Sequence, residues 1–383
     1  MLAVGTAFAA ALVAVPSAGA AKGMQVGIYD EPEVFGKPAR AFPLMRTLRT
    51  QVLRVNLYWG SAWGRAGTGL GVARRRPSDA TDPDDKAYDW SLYDRTIRNA
   101  AKYRVKVMLA IFGTPGWANR GNGPNIPPAS MTDLRDFAYA AATRYGGSFV
   151  PANAEPDSEP LPAVRYWLAW NEPNNPVFLR RQYRKVGGRY VMQSAIDYAR
   201  ICNSIYEGVK STLFAGQKVG CGATAPRGNN APRSGRASIS PLAFLRASKS
   251  AGMKRFDAYA HHPYYGSALE APTTRPKAKT AVGLGNIDDL IKELTRLYGK
   301  KRVWITEYGY QTKPPDRVFG VSYAKQAAYL RQAYGLARKN PWIDMMLWFL
   351  LRDQIDVGGW QSGLLTLGGK KKPAFTAFQR LPR

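Results

Sequence analysis

Tyr166-Trp167-Leu168-Ala169-Trp170-Asn171-Glu172-Pro173-Asn174 lies near the middle of the 383-residue chain. Its first half is an apolar, aromatic run, as expected of a strand covered on both faces. Its second half turns polar at Asn171 and meets Pro173, which stops a strand. Seven further runs read the same way, at residues 24–29, 52–58, 105–112, 218–223, 256–261, 302–306 and 343–349; with 164–170 they make eight. Helical patterns fall between them. Leu134, Phe137, Ala138, Ala141 and Tyr145 make one apolar face, and Met192, Ala195, Ile196, Ala199 and Tyr206 another. Ile287, Leu290, Ile291, Leu294 and Leu297 make a third, with Asn286 as its expected N-cap and Asp288 and Asp289 in its first turn. Tyr323, Ala327, Leu330, Tyr334 and Ala337 make a fourth, and a short last helix is expected from Pro373. Strand and helix alternating eight times predict an α/β fold, a single (β/α)₈ TIM barrel. A doubly wound open sheet would need a phosphate-binding glycine loop after the first strand, and Tyr29-Asp30-Glu31-Pro32 is not one.

Composition agrees with a folded domain: 45% of residues are hydrophobic and 21% charged. Residues 2–21 carry no charge, Pro16 breaks the apolar run, and Ala18-Gly19-Ala20 supplies a small-residue cleavage site. The expected division is a signal peptide over 1–20 and one barrel domain over 21–383, with a secreted product. An uncleaved membrane anchor is the second reading, because about 20 apolar residues can span a bilayer. Cys202 falls on a helical apolar face and Cys221 in the strand Val219-Gly220-Cys221-Gly222. A helix–strand disulfide and two buried thiols are both open.

The net charge is +28. The basic residues are scattered, with small clusters at Arg74-Arg75-Arg76 and Lys370-Lys371-Lys372, and no nucleic-acid module signature accompanies them. Nucleic acid is therefore not an expected partner. A solvated basic surface or electrostatic attraction to anionic cell-wall polymer or acidic polysaccharide both fit. In a barrel the long connections 60–89, 224–240 and 263–285 lie at the C-terminal face, where sites are built, while 146–162 lies at the opposite face.

Two strand ends carry an acid beside aromatic residues. One is Glu172. The other is Glu307, at the end of Val303-Trp304-Ile305-Thr306-Glu307-Tyr308. Cleavage of a glycosidic bond needs two such carboxyl groups, one holding a proton for the leaving oxygen and one ionised. They sit on the fourth and seventh predicted strands.

Trp170-Asn171-Glu172-Pro173 resembles the acid/base signature of the clan A glycoside hydrolases, whose acid/base follows strand four and whose nucleophile ends strand seven. The resemblance spans nearly the whole chain after the signal and is nearest to glycoside hydrolase families 39 and 5. Gly113-Thr114-Pro115-Gly116-Trp117 lacks the His that many family 5 enzymes carry after strand three, which favours a family 39-like enzyme. The resemblance implies Glu172 as general acid/base, Glu307 as nucleophile and Asn171 on the sugar 2-hydroxyl. It also implies Arg54 on the nucleophile, His262 and Tyr264 facing the site from His261-His262-Pro263-Tyr264, and Trp348 flooring the sugar pocket. Trp59, Trp63, Trp117 and Trp360 are candidate sugar platforms, Trp117 foremost, with Trp304 expected in the core. The adjacent His261 and His262 have no third ligand motif, so neither metal nor cofactor is expected.

The expected function is retaining hydrolysis of a β-linked oligo- or polysaccharide, with the two carboxyl groups about 5–5.5 Å apart. A transglycosidase on the same site, a catalytically inactive carbohydrate-binding barrel and a basic wall-binding protein are the alternatives.

Overall fold

The computed structural model describes residues 23–60 and 70–383. The signal peptide expected over 1–20, its cleavage site and Trp63 lie outside the described residues.

Eight parallel strands close into a barrel: β1 (Gln25–Tyr29), β2 (Val52–Tyr58), β3 (Lys106–Phe112), β4 (Tyr166–Ala169), β7 (Lys218–Thr224), β8 (Ala258–His261), β9 (Arg302–Tyr308) and β10 (Ile343–Phe349). Each pairs with its sequence neighbour in the barrel, and β1 pairs with β10 to close it. Two short strands, β5 (Arg184–Val186) and β6 (Arg189–Val191), make an antiparallel hairpin within the connection that leaves β4. The helices are α1 (Glu31–Gly36), α2 (Pro38–Thr47), α3 (Ser91–Lys102), α4 (Met131–Arg144), α5 (Gln193–Lys210), α6 (Pro241–Ser250), α7 (Ile287–Tyr298), α8 (Tyr323–Lys339) and α9 (Pro373–Gln379). All eight predicted strands form within a residue or two of their expected bounds. The hairpin was not expected, because three-residue strands with exposed side chains leave no periodic trace.

Alternation along each strand divides the core into two layers. Met108, Leu168, Ala260, Trp304, Met345 and Leu347 point to the barrel axis. Their neighbours Val107, Trp167, Tyr259, Ile305, Met346 and Trp348 point outward into the larger core under the helices. Gly220 makes room for the inner layer: a Cβ there would stand 2.7 Å from the Trp304 ring. Trp304 is thus core, as expected.

Asn286 takes the N-cap position of α7, but its side chain does not cap the helix. It turns back, with Oδ1 accepting from Gly283 N at 2.8 Å. Asp30, after β1, accepts from the amides of Leu351 and Arg352 after β10, tying the two closing strands at the C-terminal face. Cys202 of α5 and Cys221 of β7 form a disulfide. Among the described residues no helix is long and apolar enough to cross a membrane.

Candidate active site

Arg54 is the centre of the site. It lies on β2 facing the axis, fully buried. Nη1 donates to Glu307 Oε1 at 2.7 Å, and Nη2 donates to Asn171 Oδ1 at 2.7 Å. Tyr29 of β1 lies under the guanidinium, 4.5 Å from the ring centroid. Burial, the largest single influence, would weaken this cation; Glu307, Tyr29 and Glu31 together outweigh it and hold the Arg54 pKa above its ordinary value.

Glu307 reaches Arg54 because β9 is irregular. Met346 pairs with Ile305 and Trp348 with Tyr308, so β9 advances three residues while β10 advances two. The extra residue lets Thr306 and Glu307 both face the axis, between outward Ile305 and outward Tyr308. Tyr264, from the loop after β8, donates its hydroxyl to Glu307 Oε2 at 3.1 Å. Each Glu307 oxygen thus accepts from one donor, one of them charged, an arrangement suited to a carboxylate.

Glu172 follows β4 in a backbone region unusual for an L-residue, with φ of 36°. Its amide donates to Ala223 O of the next barrel strand at 2.9 Å, which fixes the turn. Its side chain has different neighbours from Glu307. Oε2 accepts from Asn175 Nδ2 at 3.0 Å, and Oε1 lies 3.0 Å from His262 Nδ1. Burial pushes the Glu172 pKa up to about 7, against the pull of the Asn175 hydrogen bond and of Arg54.

The tautomer of His262 follows from its partners. Nε2 lies 3.2 Å from Arg54 Nη1, which can only donate, so Nε2 is the acceptor. The ring proton is then on Nδ1 and is donated to Glu172 Oε1. Burial holds the His262 pKa down to about 4, so the ring is neutral at neutral pH. His261 faces the other way, with Nε2 2.9 Å from Val282 O and Nδ1 2.8 Å from Thr224 Oγ1.

Ligand-type atoms of Glu172, His262 and Glu307 lie within 4.8 Å of one another, a group small enough to hold a cation. Arg54 already fills that role: its guanidinium touches both Glu307 and His262, and the His262 proton lies on the nitrogen that faces Glu172. The fit to a metal is therefore poor.

A cleft of about 510 Å³ opens over Glu172. Trp360 forms an aromatic wall there, its ring 4.8 Å from Tyr264 and 5.3 Å from Phe349. Arg54, Asn171, Glu172, His262, Tyr264 and Glu307 are thus brought together. Two expected residues are not. Trp348 is fully buried on the outward face of β10, its indole donating to Ser362 O. Strand alternation gives the inward position to Phe349, so Trp348 does not floor the pocket. Trp117 does not line the cleft: its indole donates to Ala73 O at 2.9 Å and Arg76 covers its ring at 4.8 Å. Trp59 is fully buried. The sequence reading passed over Asn175, Thr306 and Phe349. Period two from Leu347 would have found Phe349; no local pattern marks the other two.

Residues 147–378, more than half of the chain, match the glycosyl hydrolase catalytic core family. The chain belongs to that family. The chain is a closed eight-stranded barrel with two acidic residues near the barrel axis. Its fold is similar to that of a family 39 glycoside hydrolase from the gut symbiont Bacteroides cellulosilyticus WH2, at TM-score 0.63 and 19% identity over 93% of this chain. The chain spans 62% of that protein's length. It is also similar to a glucosidase from Croceicoccus marinus, at TM-score 0.64 and 14% identity, covering 94% of this chain and 67% of that one. A family 1 β-glucosidase from Thermotoga maritima shares the fold at TM-score 0.56 and 13% identity, covering 93% and 97%. No curated protein matches the sequence.

Proposed function

We propose that the chain is an exported, retaining glycoside hydrolase acting on a β-linked oligo- or polysaccharide. One observation carries this: two carboxylates a few ångströms apart have opposite environments. Glu307 is gripped by a buried cation and a tyrosine hydroxyl. Glu172 is pushed toward its protonated form at neutral pH. Such a split supports Glu307 as nucleophile and Glu172 as acid. An oxygen of each lies within 4.8 Å of one of the other, which favours the retaining separation of about 5–5.5 Å over the inverting one of about 6.5–9.5 Å.

In the first step a Glu307 oxygen attacks the anomeric carbon. The bond to the leaving oxygen breaks, and that oxygen takes its electron pair and the Glu172 proton. In the second step Glu172 removes a proton from water as the water oxygen attacks the same carbon and frees Glu307. Asn171 has its Oδ1 held by Arg54, which leaves Nδ2 as a donor for a sugar hydroxyl. Trp360 takes the place of Trp117 as the aromatic platform. Export by way of a signal over 1–20 fits a disulfide in the barrel domain over 21–383, since such bonds persist in oxidising compartments.

The test is azide rescue. With an activated aryl glycoside, Glu172→Ala should accumulate a covalent intermediate and recover turnover with azide, giving a glycosyl azide of retained configuration by NMR. Glu307→Ala should lose turnover in water, and any glycosyl azide it forms should be of inverted configuration, because azide then displaces the aryl group in one step from the face that Glu307 occupied. Rescue of Glu307→Ala with retention would reverse the roles, and wild-type activity in both variants would remove them.

A further inference from the structure

We propose that the substrate carries an anionic group, a carboxylate or sulfate, on a sugar beside the scissile bond, and that Arg236 with Arg227 receives it. This rests on the glycosidase reading above and names its substrate class. The positive charge of the chain is not spread evenly around the site. The connection from β7 to α6, Ala225-Pro226-Arg227-Gly228-Asn229-Asn230-Ala231-Pro232-Arg233-Ser234-Gly235-Arg236-Ala237-Ser238, holds three arginines and no acid. The neighbouring connection from β4 to α5, which bears the hairpin, holds Arg180, Arg181, Arg184, Lys185 and Arg189, with no acid after Glu172. Both leave the C-terminal ends of adjacent barrel strands. They build the wall on the Glu172 side.

Arg227 and Arg236 line the cleft itself, and among the described residues the only carboxylate lining it is Glu172. Arg227 is anchored. It donates to Tyr264 O at 3.3 Å and stands 3.7 Å from Glu270, which spends one oxygen on the amide of Gly266. Arg236 has no carboxylate partner among the described residues. Its loop is nonetheless held in one shape. Asn229 Oδ1 accepts from the amides of Ala231 and Ser238, and Asn230 Oδ1 accepts from the amide of Ser240. On the facing wall, Asp316 is turned away by its own loop, accepting from the amides of Val318 and Phe319. An exposed guanidinium with open donors, carried on a loop whose backbone is held and lining a cleft whose wall also bears Glu172, suits the planar fork of a carboxylate or sulfate. A neutral glycan would leave this cation unpaired and would gain nothing from the basic wall.

The experiment uses the full chain with its disulfide intact and three matched β-linked oligosaccharides: one containing glucuronate, the same compound after carboxyl reduction, and the reduced compound carrying sulfate. Binding is measured by calorimetry in Glu307→Gln protein at about 0.15 M salt, where long-range attraction to the basic surface is screened. An anionic member should bind at least about tenfold more tightly than the reduced one, the size expected of hydrogen bonds to a charged group. Arg236→Ala should bring that ratio close to one, Arg236→Lys should keep part of it, and Lys339→Ala at the exposed end of α8 should leave it unchanged. Which anionic member binds better identifies carboxylate or sulfate. Equal binding of all three compounds, or a preference that survives Arg236→Ala, would overturn the proposal. Arg236-dependent binding of the anionic member with no turnover by the wild type would uphold it and count against the glycosidase reading alone.

Discussion

Arg54 Nη1 stands 2.7 Å from Glu307 Oε1, with the arginine side chain fully enclosed and the carboxylate nearly so. Its second nitrogen holds Asn171 at the same distance. One guanidinium therefore sets the positions of two residues carried on strands far apart in the chain. Replacing it with an uncharged side chain leaves a buried carboxylate without its cation. Arg54→Met is expected to lower stability by about 3–5 kcal/mol, read by denaturant unfolding. Arg54→Lys keeps the charge but cannot span both partners. It should fold better than Arg54→Met while losing most of kcat.

Glu172 must be protonated to act as an acid, and its pKa lies at about 7. The rate kcat/KM of the free enzyme should therefore fall as pH rises through about 7, because the ionised form has no proton to give. With an activated leaving group that needs no proton, the same limb should flatten. A limb that is identical for both substrates would assign it to another group.

The raised Glu172 pKa also has a cost in stability. The native state holds this proton to about pH 7, whereas the unfolded chain releases it near 4.5. Between those values the native state binds more protons, so its stability falls as pH rises, and the penalty is fully present above about 7. Glu172→Gln removes the ionisable group. Its stability should exceed that of the wild type at pH 8 by on the order of 1–3 kcal/mol, with the amide oxygen keeping the Asn175 contact. At pH 4 the two proteins should melt together.

Trp360 lines the cleft and packs on Tyr264, while Trp117 lies outside it under Arg76. Trp360→Ala should raise KM about tenfold or more, as loss of a stacking face does. Trp117→Ala should leave KM near the wild-type value and lower the melting temperature instead. The reverse pattern would restore Trp117 as the platform.

The disulfide joins residues 19 apart in sequence, between α5 and the outward face of β7. Closing so short a loop in the unfolded chain is worth about 3 kcal/mol in the chain-entropy account. The Cys202→Ala, Cys221→Ala double variant should unfold at correspondingly lower denaturant. Below its transition it should keep wild-type kcat, since both cysteines point away from the barrel axis.

Much of this protein is decided by short-range patterns. Continuous apolar runs gave β strands that are covered on both faces, and 3.6-residue periodicity gave the major helices between them. Eight alternations leave few topologies open, so the barrel was legible. So were Glu172 and Glu307, because each ends a strand at the face where such barrels build their sites. His262 and Tyr264, just past the end of β8, were expected from the family resemblance of His261-His262-Pro263-Tyr264.

What the chain alone did not reveal depends on register and on distance across the fold. Trp348 and Phe349 are adjacent aromatics, and period two puts Phe349 on the side of Leu347, but only the closed barrel shows which of the two sides faces the axis. Glu307 should point outward by strict alternation from Trp304; the extra residue in β9 turns it inward, and an irregularity of one residue has no sequence signature. Asn175 and Thr306 act through partners on other segments, and the platform role of Trp117 is denied by Arg76, which lies 41 positions before it. The proton on His262 is fixed by Arg54, on the opposite side of the barrel. Periodicity is a property of one segment and can be read along it. A pKa, a tautomer or the direction of one side chain at a strand end is a property of several segments together, and exists only once the barrel has closed.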